Sequence, residues 1–531
     1  MYHQPEITEI NLFKCPLEEG DENQILFNHV DEQNAYFNAL PRFDLENATY
    51  QRKEQIIRWP GNADLIRNYN YVRWNNYRDN EGVGKWYFAF ITNIEYASEN
   101  MSFIHVKLDT FQTWQFELKY KACFVEREHV NNDSRGLHTV PENVELGEMV
   151  VNQTGAELNI TNMYIVFQVS EVIDQLGAQD SYKHGGLYNN IFSGLSYFYV
   201  KDIASARWVI SQYQQGKESA IVSIFYAPSA VLPSQTTSRP STGITIYWIT
   251  ELTSATDFDN LSVPMPTNLG FVNGEIHHPR NNKLLTYPYS YLRLSNNVGN
   301  DAIFKYEDFG GNSADFVVQG SLGQGCSIFA HPAVMFKGAL SQRATFDYGI
   351  PMQKLPILGW ATDYYTNWQT QNAVNFPMQG ISGAVQAVGS FMGGNIVGGV
   401  SSVVNTIGNM VSQQYEAKLA PDQARGNANS SDITFSSGYY KITAVGFSIR
   451  PEYARIIDDY FDMFGYKVNR LKVPNVRGRA NWNYVKTVDC YIEANIPQAD
   501  LNEIKGFFDR GIRLWHNPAN FMNYSVNNGI I

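Results

Sequence analysis

Histidine and cysteine are the side chains that most often hold a metal, so their spacing decides whether a metal site is expected. The histidines include adjacent His277 and His278 and near neighbours His129 and His138, and none has the HExxH spacing of a zinc enzyme. The cysteines form no CxxC motif and no Cys/His cluster; they are Cys15, Cys123, Cys326 and Cys490. The sequence therefore predicts neither a zinc site nor a disulfide framework, which is typical of assembly in a reducing cytosol.

The acidic residues contain no recognisable catalytic pair. Asp458 and Asp459 are adjacent beside Arg455 in a helical pattern, which is typical of a solvated helix face. The sequence has no GxSxG motif, no P-loop and no GxGxxG motif after a strand pattern. We therefore predict a protein that is not an enzyme and has no catalytic residue, metal or cofactor. A cell-wall hydrolase stays open as an alternative, because its two carboxylates need no local motif.

A run of basic residues follows Tyr466 in the C-terminal part of the chain. The run consists of Lys467, Arg470, Lys472, Arg477 and Arg479. It could contact DNA or an acidic neighbour, but a hairpin with a solvated basic face is the interpretation that we favour. The formal net charge of −12 argues against a protein that binds DNA by neutralising phosphates. An acidic channel along which DNA slides is compatible with this charge, but so is almost any ordinary soluble protein.

The bulk composition indicates a folded protein of several domains. The chain has 531 residues, which is too long for one hydrophobic core, so about two to four domains are expected. Aromatic residues make up 14% of the chain and favour strands, so we predict a mainly β fold with α+β elements. The first residues contain neither a basic stretch nor an apolar core, and no secretory signal is predicted.

Periodicity locates the elements that have to position any functional segment. Strand patterns, several of them with a period of two, recur along the chain, and Pro233–Gly243 has the Ser, Thr and Pro content of a loop. The strand patterns include residues 86–91, 103–108, 114–120 and 163–169. Near the C-terminus, Pro451 begins a helix that Gly465 ends, and a second amphipathic helix spans residues 499–510. The first helix places Ile456, Ile457, Tyr460, Phe461 and Phe464 on one face, and the second aligns Leu501, Ile504 and Phe508.

The sharpest signal in the sequence is a long stretch without charge. From Tyr364 to Tyr415 there is no Asp, Glu, Lys, Arg or His, although 17% of the whole chain is charged. A window of that length escapes charge by chance about once in 10,000 cases. The core of this uncharged segment is Gly380–Val411, which mixes Gly, Ser and Ala with Val, Ile, Phe and Met.

The core of the uncharged segment has the length and spacing of a membrane-insertion element. A single span needs roughly 20 residues. Glycines recur four apart, at Gly389 with Gly393 and at Gly394 with Gly398, and this spacing lets helices approach closely in lipid. The predicted membrane-insertion residues are Gly380, Ile381, Val385, Val388, Gly389, Phe391, Met392, Gly393, Gly394, Ile396, Val397, Gly398, Val400, Val403, Val404, Ile407, Met410 and Val411. A buried glycine-rich hairpin in an interface, or a linker lining a channel, stays open as an alternative.

Several sequence stretches resemble the tail-knob proteins of phi29-like short-tailed bacteriophages. The resemblance covers roughly residues 1–135 and 340–531. The N-terminal stretches are KWYFAFITNIEY (Lys85–Tyr96), LDTFQTWQFELKY (Leu108–Tyr120) and FVEREHV (Phe124–Val130). The C-terminal stretches are FGYKVNRLKVPNVRGR (Phe464–Arg479), NYVKTVDCYI (Asn483–Ile492), LNEIKGFFDRGIRLWH (Leu501–His516) and NYSV (Asn523–Val526).

The resemblance implies a structural virion protein at the tip of the tail. Members of this family form six-fold rings of tail-tube or hub-like β domains around a DNA channel. Their long apolar loops leave the channel and form a pore in the host membrane. The implied partners are therefore five further copies of the chain, tail or collar proteins, host membrane lipid, and viral DNA that passes without sequence-specific binding. Assembly is expected in the host cytoplasm.

The resemblance and the composition together predict the domain organisation. We expect an N-terminal tube-like domain at residues 1–135 and a connector with an inserted mixed α/β domain at residues 136–335. A C-terminal tube-like domain is expected at residues 336–363 and 431–531, with the apolar loop at residues 364–430. The rival interpretations are a receptor-binding tail protein, a cell-wall hydrolase, and a capsid or collar protein.

Overall fold

The structure is a computed structural model of the 531-residue chain. It describes most of the polypeptide. The residues outside the description are 1–7, 21, 52–54, 77–83, 160–161, 178–185, 189–190, 233–235, 242–243, 250–255, 273–274, 298, 324, 353–354, 356, 363–422 and 426–440.

The chain folds into two compact units, and both are discontinuous in sequence. Unit 1 consists of Met1–Met149, Asn268–Tyr289 and Ile449–Ile531, and unit 2 consists of Val150–Thr267 and Ser290–Ser448. Unit 1 thus combines residues from the predicted N-terminal, connector and C-terminal regions. The division into tube-like, inserted and loop domains stays a prediction. The prediction of a mainly β chain with α+β elements is confirmed.

The first sheet of unit 1 is antiparallel and buries both of its faces. Its seven strands lie in the order β3-β1-β6-β7-β8-β5-β4. Phe88 and Ala89, adjacent in β7, point to two different hydrophobic clusters, as the period of two in a strand requires. The strands are β1 (Thr8–Phe13), β3 (Arg42–Asp44), β4 (Thr49–Gln51), β5 (Ile56–Trp59), β6 (Tyr71–Asn76), β7 (Lys85–Ser98) and β8 (Met101–Leu108). Helix α1 (Val30–Ala39) covers one face with Phe37.

The second sheet of unit 1 is made by strands from both ends of the chain. Its order is β2-β33-β31-β10-β30, and only the β2–β33 pair is parallel. The strands are β2 (Asn23–Ile25), β10 (Cys123–Glu128), β30 (Tyr466–Lys472), β31 (Trp482–Val488) and β33 (Ile512–Trp515). The small pairs β9 (Lys119–Tyr120) with β32 (Ile492–Glu493), and β20 (Phe271–Val272) with β21 (Glu275–Ile276), complete the strands of this unit.

The predicted C-terminal helices are confirmed, with one correction. Helix α4 (Pro451–Phe464) begins at Pro451 and ends at Gly465, whose φ of 63° suits glycine. Helix α5 (Gln498–Arg510) buries Leu501, Ile504 and Phe508. The correction concerns Ile456, which is 68% exposed because α4 turns Ile457 and Phe461 inward instead.

Two local predictions were wrong. Of the strand expected at residues 114–120, only Lys119–Tyr120 is a strand, because helix α2 (Thr110–Trp114) reaches Trp114 and a 3-10 turn, Gln115–Glu117, follows it. The Asp109 carboxylate accepts a hydrogen bond from the backbone N–H of Gln112 and caps α2. The stretch expected to be a loop contains β17 (Thr236–Ser241). β17 is an edge strand of its sheet, where a proline such as Pro240 is tolerated because one side of the strand needs no ladder partner.

Unit 2 contains three larger sheets around a continuous core. Their orders are β16-β12-β15-β18-β17, β19-β24-β25-β26 and β11-β29-β22-β23. Helix α3 (Ile203–Tyr213) packs Val209 and Tyr213 against the first of these sheets. The strands are β11 (Met149–Asn159), β12 (Met163–Val169), β13 (Gly186–Tyr188), β14 (Ile191–Ser193), β15 (Ser196–Val200), β16 (Ile221–Pro228), β17, β18 (Ile244–Ile249), β19 (Thr256–Pro264), β22 (Ser290–Ser295), β23 (Asp301–Phe304), β24 (Ser313–Gly323), β25 (Gly325–Pro332), β26 (Ile350–Pro351), β27 (Trp360–Thr362), β28 (Gln423–Arg425) and β29 (Lys441–Ile449).

Candidate functional site

The predicted membrane-insertion residues, Gly380 to Val411, all lie outside the described residues. The candidate site therefore consists of the described elements that hold the two ends of the uncharged segment. Strand β27 precedes the segment and β28 follows it, and the two strands pair antiparallel with each other. Residue pairs are Trp360 with Arg425, Ala361 with Ala424, and Thr362 with Gln423. The polypeptide thus leaves and returns through neighbouring strands.

The paired strands β27 and β28 form a two-stranded ribbon, and the residues that precede β27 attach this ribbon to unit 2. Ile357 forms an isolated β-bridge with Phe225, and the backbone N–H of Leu358 donates to the carbonyl oxygen of Ile224 at 2.7 Å. Trp360 is 4% exposed and belongs to the hydrophobic cluster that includes Trp248. Because an indole ring buries a large apolar area, Trp360 fixes the start of the ribbon in the core of unit 2.

Three side chains of the basic run, those of Lys472, Arg477 and Arg479, contact other residues of unit 1. Lys472 forms an ion pair with Glu128, which is buried, and the Arg477 guanidinium donates to the carbonyl oxygen of Phe27 at 2.9 Å. Arg479 is 6% exposed, and burial lowers the pKa of its guanidinium. The prediction of a solvated basic face was therefore wrong for Arg479, because this side chain packs against the C-terminal residues.

A buried acid that the sequence did not single out organises the same region. Glu142 has no exposed side-chain surface, and its carboxylate accepts hydrogen bonds from the Lys283 ammonium at 2.5 Å and the backbone N–H of Lys467 at 2.8 Å. Arg127 donates to the other carboxylate oxygen. Burial lowers the pKa of Lys283, and the charge of Glu142 opposes this effect. Removing one partner of such a group leaves a buried charge uncompensated.

The adjacent aspartates of α4 do not form one solvated face. Asp458 is fully buried and accepts hydrogen bonds from the backbone N–H of Arg280 at 2.9 Å and the side chain of Asn281 at 2.7 Å. Burial acts to raise its pKa, but the nearby His277 imidazole and the hydrogen bonds from Arg280 and Asn281 prevail, and the pKa is lowered. Asp459 forms an ion pair with Arg280. The prediction was wrong for Asp458, because Arg280 and Asn281 contact its carboxylate, whereas the Asp459 side chain is exposed.

His129 has a structural role in the same unit. Its Nδ1 accepts a hydrogen bond from the backbone N–H of Tyr484 at 2.8 Å, and Nε2 contacts the carbonyl oxygen of Asp462 at 2.9 Å. A ring nitrogen that accepts a hydrogen bond cannot carry a proton, so this imidazole is neutral. Burial, assisted by the charge of Arg479, lowers its pKa to about 3.

Across the described part of the chain, three or more His, Cys, Asp or Glu side chains nowhere gather in a metal-binding arrangement. None of the helices among the described residues combines the length and apolarity needed to cross a membrane.

The fold and the sequence match components of phage tails. Residues 6–119 match the family model of the caudoviral major tail protein N-terminus. Residues 256–529 match the model of the C-terminal domain of the Bacillus phage phi29 tail knob protein gp9. These matches define a structural tail protein. Because the second match spans more than half of the chain, the chain belongs to the family of phi29 tail knob protein gp9.

Individual relatives agree along almost the whole chain. It is 24% identical to the tail knob proteins gp9 of Bacillus phages PZA and phi29, over 97% of this chain and 97% of each relative. The solved tail knob protein gp12 of bacteriophage C1 has the same fold, with a TM-score of 0.68, 14% identity and coverage of 99% of this chain and 100% of that one. The resemblance inferred from the sequence motifs is confirmed, and the family match also includes residues 256–339.

We expect Trp360→Ala to destabilise the protein by about 3 kcal/mol, because it removes a buried indole and leaves a cavity. Chemical unfolding followed by circular dichroism measures this change. Phe192→Ala is the control, since Phe192 is 75% exposed and its removal should change the unfolding free energy by less than about 0.5 kcal/mol. Equal stability of Trp360→Ala and the unmodified chain would show that the ribbon is not anchored by this residue.

His129 should make the stability of the protein fall in acid. Its ordinary pKa is 6.5 and its folded pKa is about 3, so between these values the unfolded chain binds a proton that the folded chain does not. Stability then decreases as the pH falls through this window, by about 1.4 kcal/mol per pH unit. Comparing unfolding free energies of the natural chain and His129→Gln from pH 7 to pH 4 isolates this contribution, because glutamine does not titrate. Parallel pH profiles would contradict the assignment of a neutral, buried imidazole.

Proposed function

We propose that six copies of the chain form a ring at the tip of the tail that continues the channel for DNA ejection. The family membership and the tail knob names of the relatives support this location. The net charge of −12 favours a channel wall that does not bind DNA tightly. The proposed role is mechanical rather than catalytic. Other tail or collar proteins hold the ring, which assembles in the host cytoplasm.

We further propose that the uncharged segments, with Gly380–Val411 at their centre, leave the channel on attachment and form a pore in the host cytoplasmic membrane. Two features together support this proposal: the segment has no charged residue, and its two ends are held together by a pair of strands. β27 and β28 hold its ends side by side while Trp360 stays in the core. The segment can therefore move from the channel into the membrane while β27 and β28 stay in place.

The energetics favour insertion of several copies together. Each Val, Ile or Phe at the centre of a bilayer contributes only about −0.3 to −0.6 kcal/mol, and the Gly, Ser and Asn residues offset much of this gain. One copy is therefore a poor spanning element. Six copies can pack their small residues against one another and satisfy polar groups internally, as lipid requires. In the stored state the channel, rather than lipid, shields the same apolar residues from water.

The proposal predicts that the purified protein releases dye from liposomes and that a variant lacking Gly380–Val411 does not. Leakage is measured from acidic to neutral pH, because the condition that releases the segment is not fixed by the proposal. A single charge tests the same point without a deletion. Val397→Asp should reduce leakage strongly, since Asp at the centre of a spanning helix costs about 3 kcal/mol.

Val488→Asp is the matched control for the single charge, because Val488 is 47% exposed in unit 1 and should tolerate a carboxylate. Leakage by the deletion variant equal to that of the natural chain would refute the membrane role of the segment. Loss of turbidity of purified host cell wall would instead support the hydrolase alternative.

A further inference from the structure

Two of the four cysteines are neighbours although they are far apart in sequence. Cys123 begins β10, and Cys490 follows β31. In the ladder between these strands, Phe124 pairs with Val488, and the backbone N–H of Lys121 donates to the carbonyl oxygen of Tyr491 at 3.0 Å. The two cysteines lie between these two backbone contacts. The two side chains lie close enough that, in addition to burial, Cys123 contributes to the raised pKa of the Cys490 thiol.

The surroundings favour a specific pairing of these two thiols. Cys123 is 4% and Cys490 is 5% exposed, and both are free thiols in the structure. Cys123 and Cys490 belong to different hydrophobic clusters of unit 1 but are brought together by the two backbone contacts between which they lie. In contrast, Cys15 belongs to a third cluster of unit 1, and Cys326 lies in the core of unit 2. Any intramolecular disulfide that forms without unfolding is therefore expected between Cys123 and Cys490.

We propose that Cys123 and Cys490 form a disulfide once the protein has left the reducing cytosol in which it is assembled. Intracellular thiols stay reduced, whereas released virions meet an oxidising environment. The pair would then act as a covalent lock that forms late. This inference does not depend on the proposed membrane pore, because both cysteines lie in unit 1 and the base of the uncharged segment lies in unit 2.

A small disulfide such as oxidised glutathione can supply the oxidising equivalents. The thiolate of one cysteine attacks a sulfur of this disulfide, forms a mixed disulfide and releases one glutathione thiolate. The second cysteine, as its thiolate, attacks the protein sulfur of the mixed disulfide and releases the second glutathione. Two electrons pass from the protein to glutathione, and the two thiol protons pass to the solvent and the released thiolates.

The lock would join strands from opposite ends of the chain. β10 is paired with both β30 and β31, so joining its first residue to the residue that follows β31 by two positions restrains the β10–β31 pair. A cross-link that closes a very long loop removes much conformational freedom from the unfolded chain, which stabilises the folded state. Burial raises the pKa of the Cys490 thiol to about 12, so the exchange should be slow near neutral pH and faster in alkaline buffer.

The test oxidises the natural full-length chain with oxidised glutathione, quenches with acid, denatures, and counts the cysteines that react with iodoacetamide. We expect the count to fall from four to two. Peptide mapping should find Cys123 joined to Cys490. The melting temperature should rise by roughly 5 °C or more and return to its initial value after reduction.

Cys490→Ser and Cys326→Ala are the paired variants for this experiment. Cys490→Ser should show neither the cross-link nor the rise in melting temperature, whereas Cys326→Ala should show both. Four reactive cysteines after prolonged oxidation of the folded natural chain would overturn the proposal. A cross-link that involves Cys15 or Cys326 would overturn it equally.

Discussion

The parallel pairing of β2 with β33, and the position of β10 between β30 and β31, bring both ends of the chain into one sheet. Because this sheet contains strands from both ends of the chain, the polypeptide between those strands has to leave the sheet and return to it. Unit 2 is built from two of these intervening segments, Val150–Thr267 and Ser290–Ser448. Within Ser290–Ser448, strands β27 and β28 pair with each other, and the uncharged segment lies between them in the sequence.

Buried charges fix the arrangement of these returning segments in unit 1. Glu142, Glu128 and Asp458 are each buried, and each is satisfied by partners from other stretches of the chain. Such groups add little net stability compared with apolar packing, but an incorrect arrangement would leave a charge buried without a partner. The buried imidazole of His129 adds a similar demand, because it needs both Tyr484 and Asp462 in place. Arrangements of strands that separate these partners are therefore disfavoured.

The elements predicted correctly are those whose pattern depends only on residues close together in the sequence. Helices α4 and α5 follow from their apolar spacing and from Pro451 and Gly465, and the long strand β7 follows from its alternation. Of the strand expected at residues 114–120, only β9 (Lys119–Tyr120) forms, because helix α2, capped by Asp109, extends to Trp114 and a 3-10 turn follows it. The neighbouring thiols of Cys123 and Cys490 and the ion pair of Glu142 with Lys283 could not be predicted, because they depend on contacts between distant parts of the chain. The composition of the uncharged segment predicted a membrane role, but it contained no information about the ribbon at its base.

Liposome flotation tests most directly whether the uncharged segment is a separable membrane element. In the variant to be compared, residues 363–422 are replaced by Asn-Gly, a two-residue turn suited to joining antiparallel strands such as β27 and β28. The account predicts that this shortened protein keeps the melting temperature of the full chain and stays with the soluble fraction under conditions in which the full chain floats with lipid. Flotation of the shortened protein to the same extent, or its failure to fold, would contradict the account.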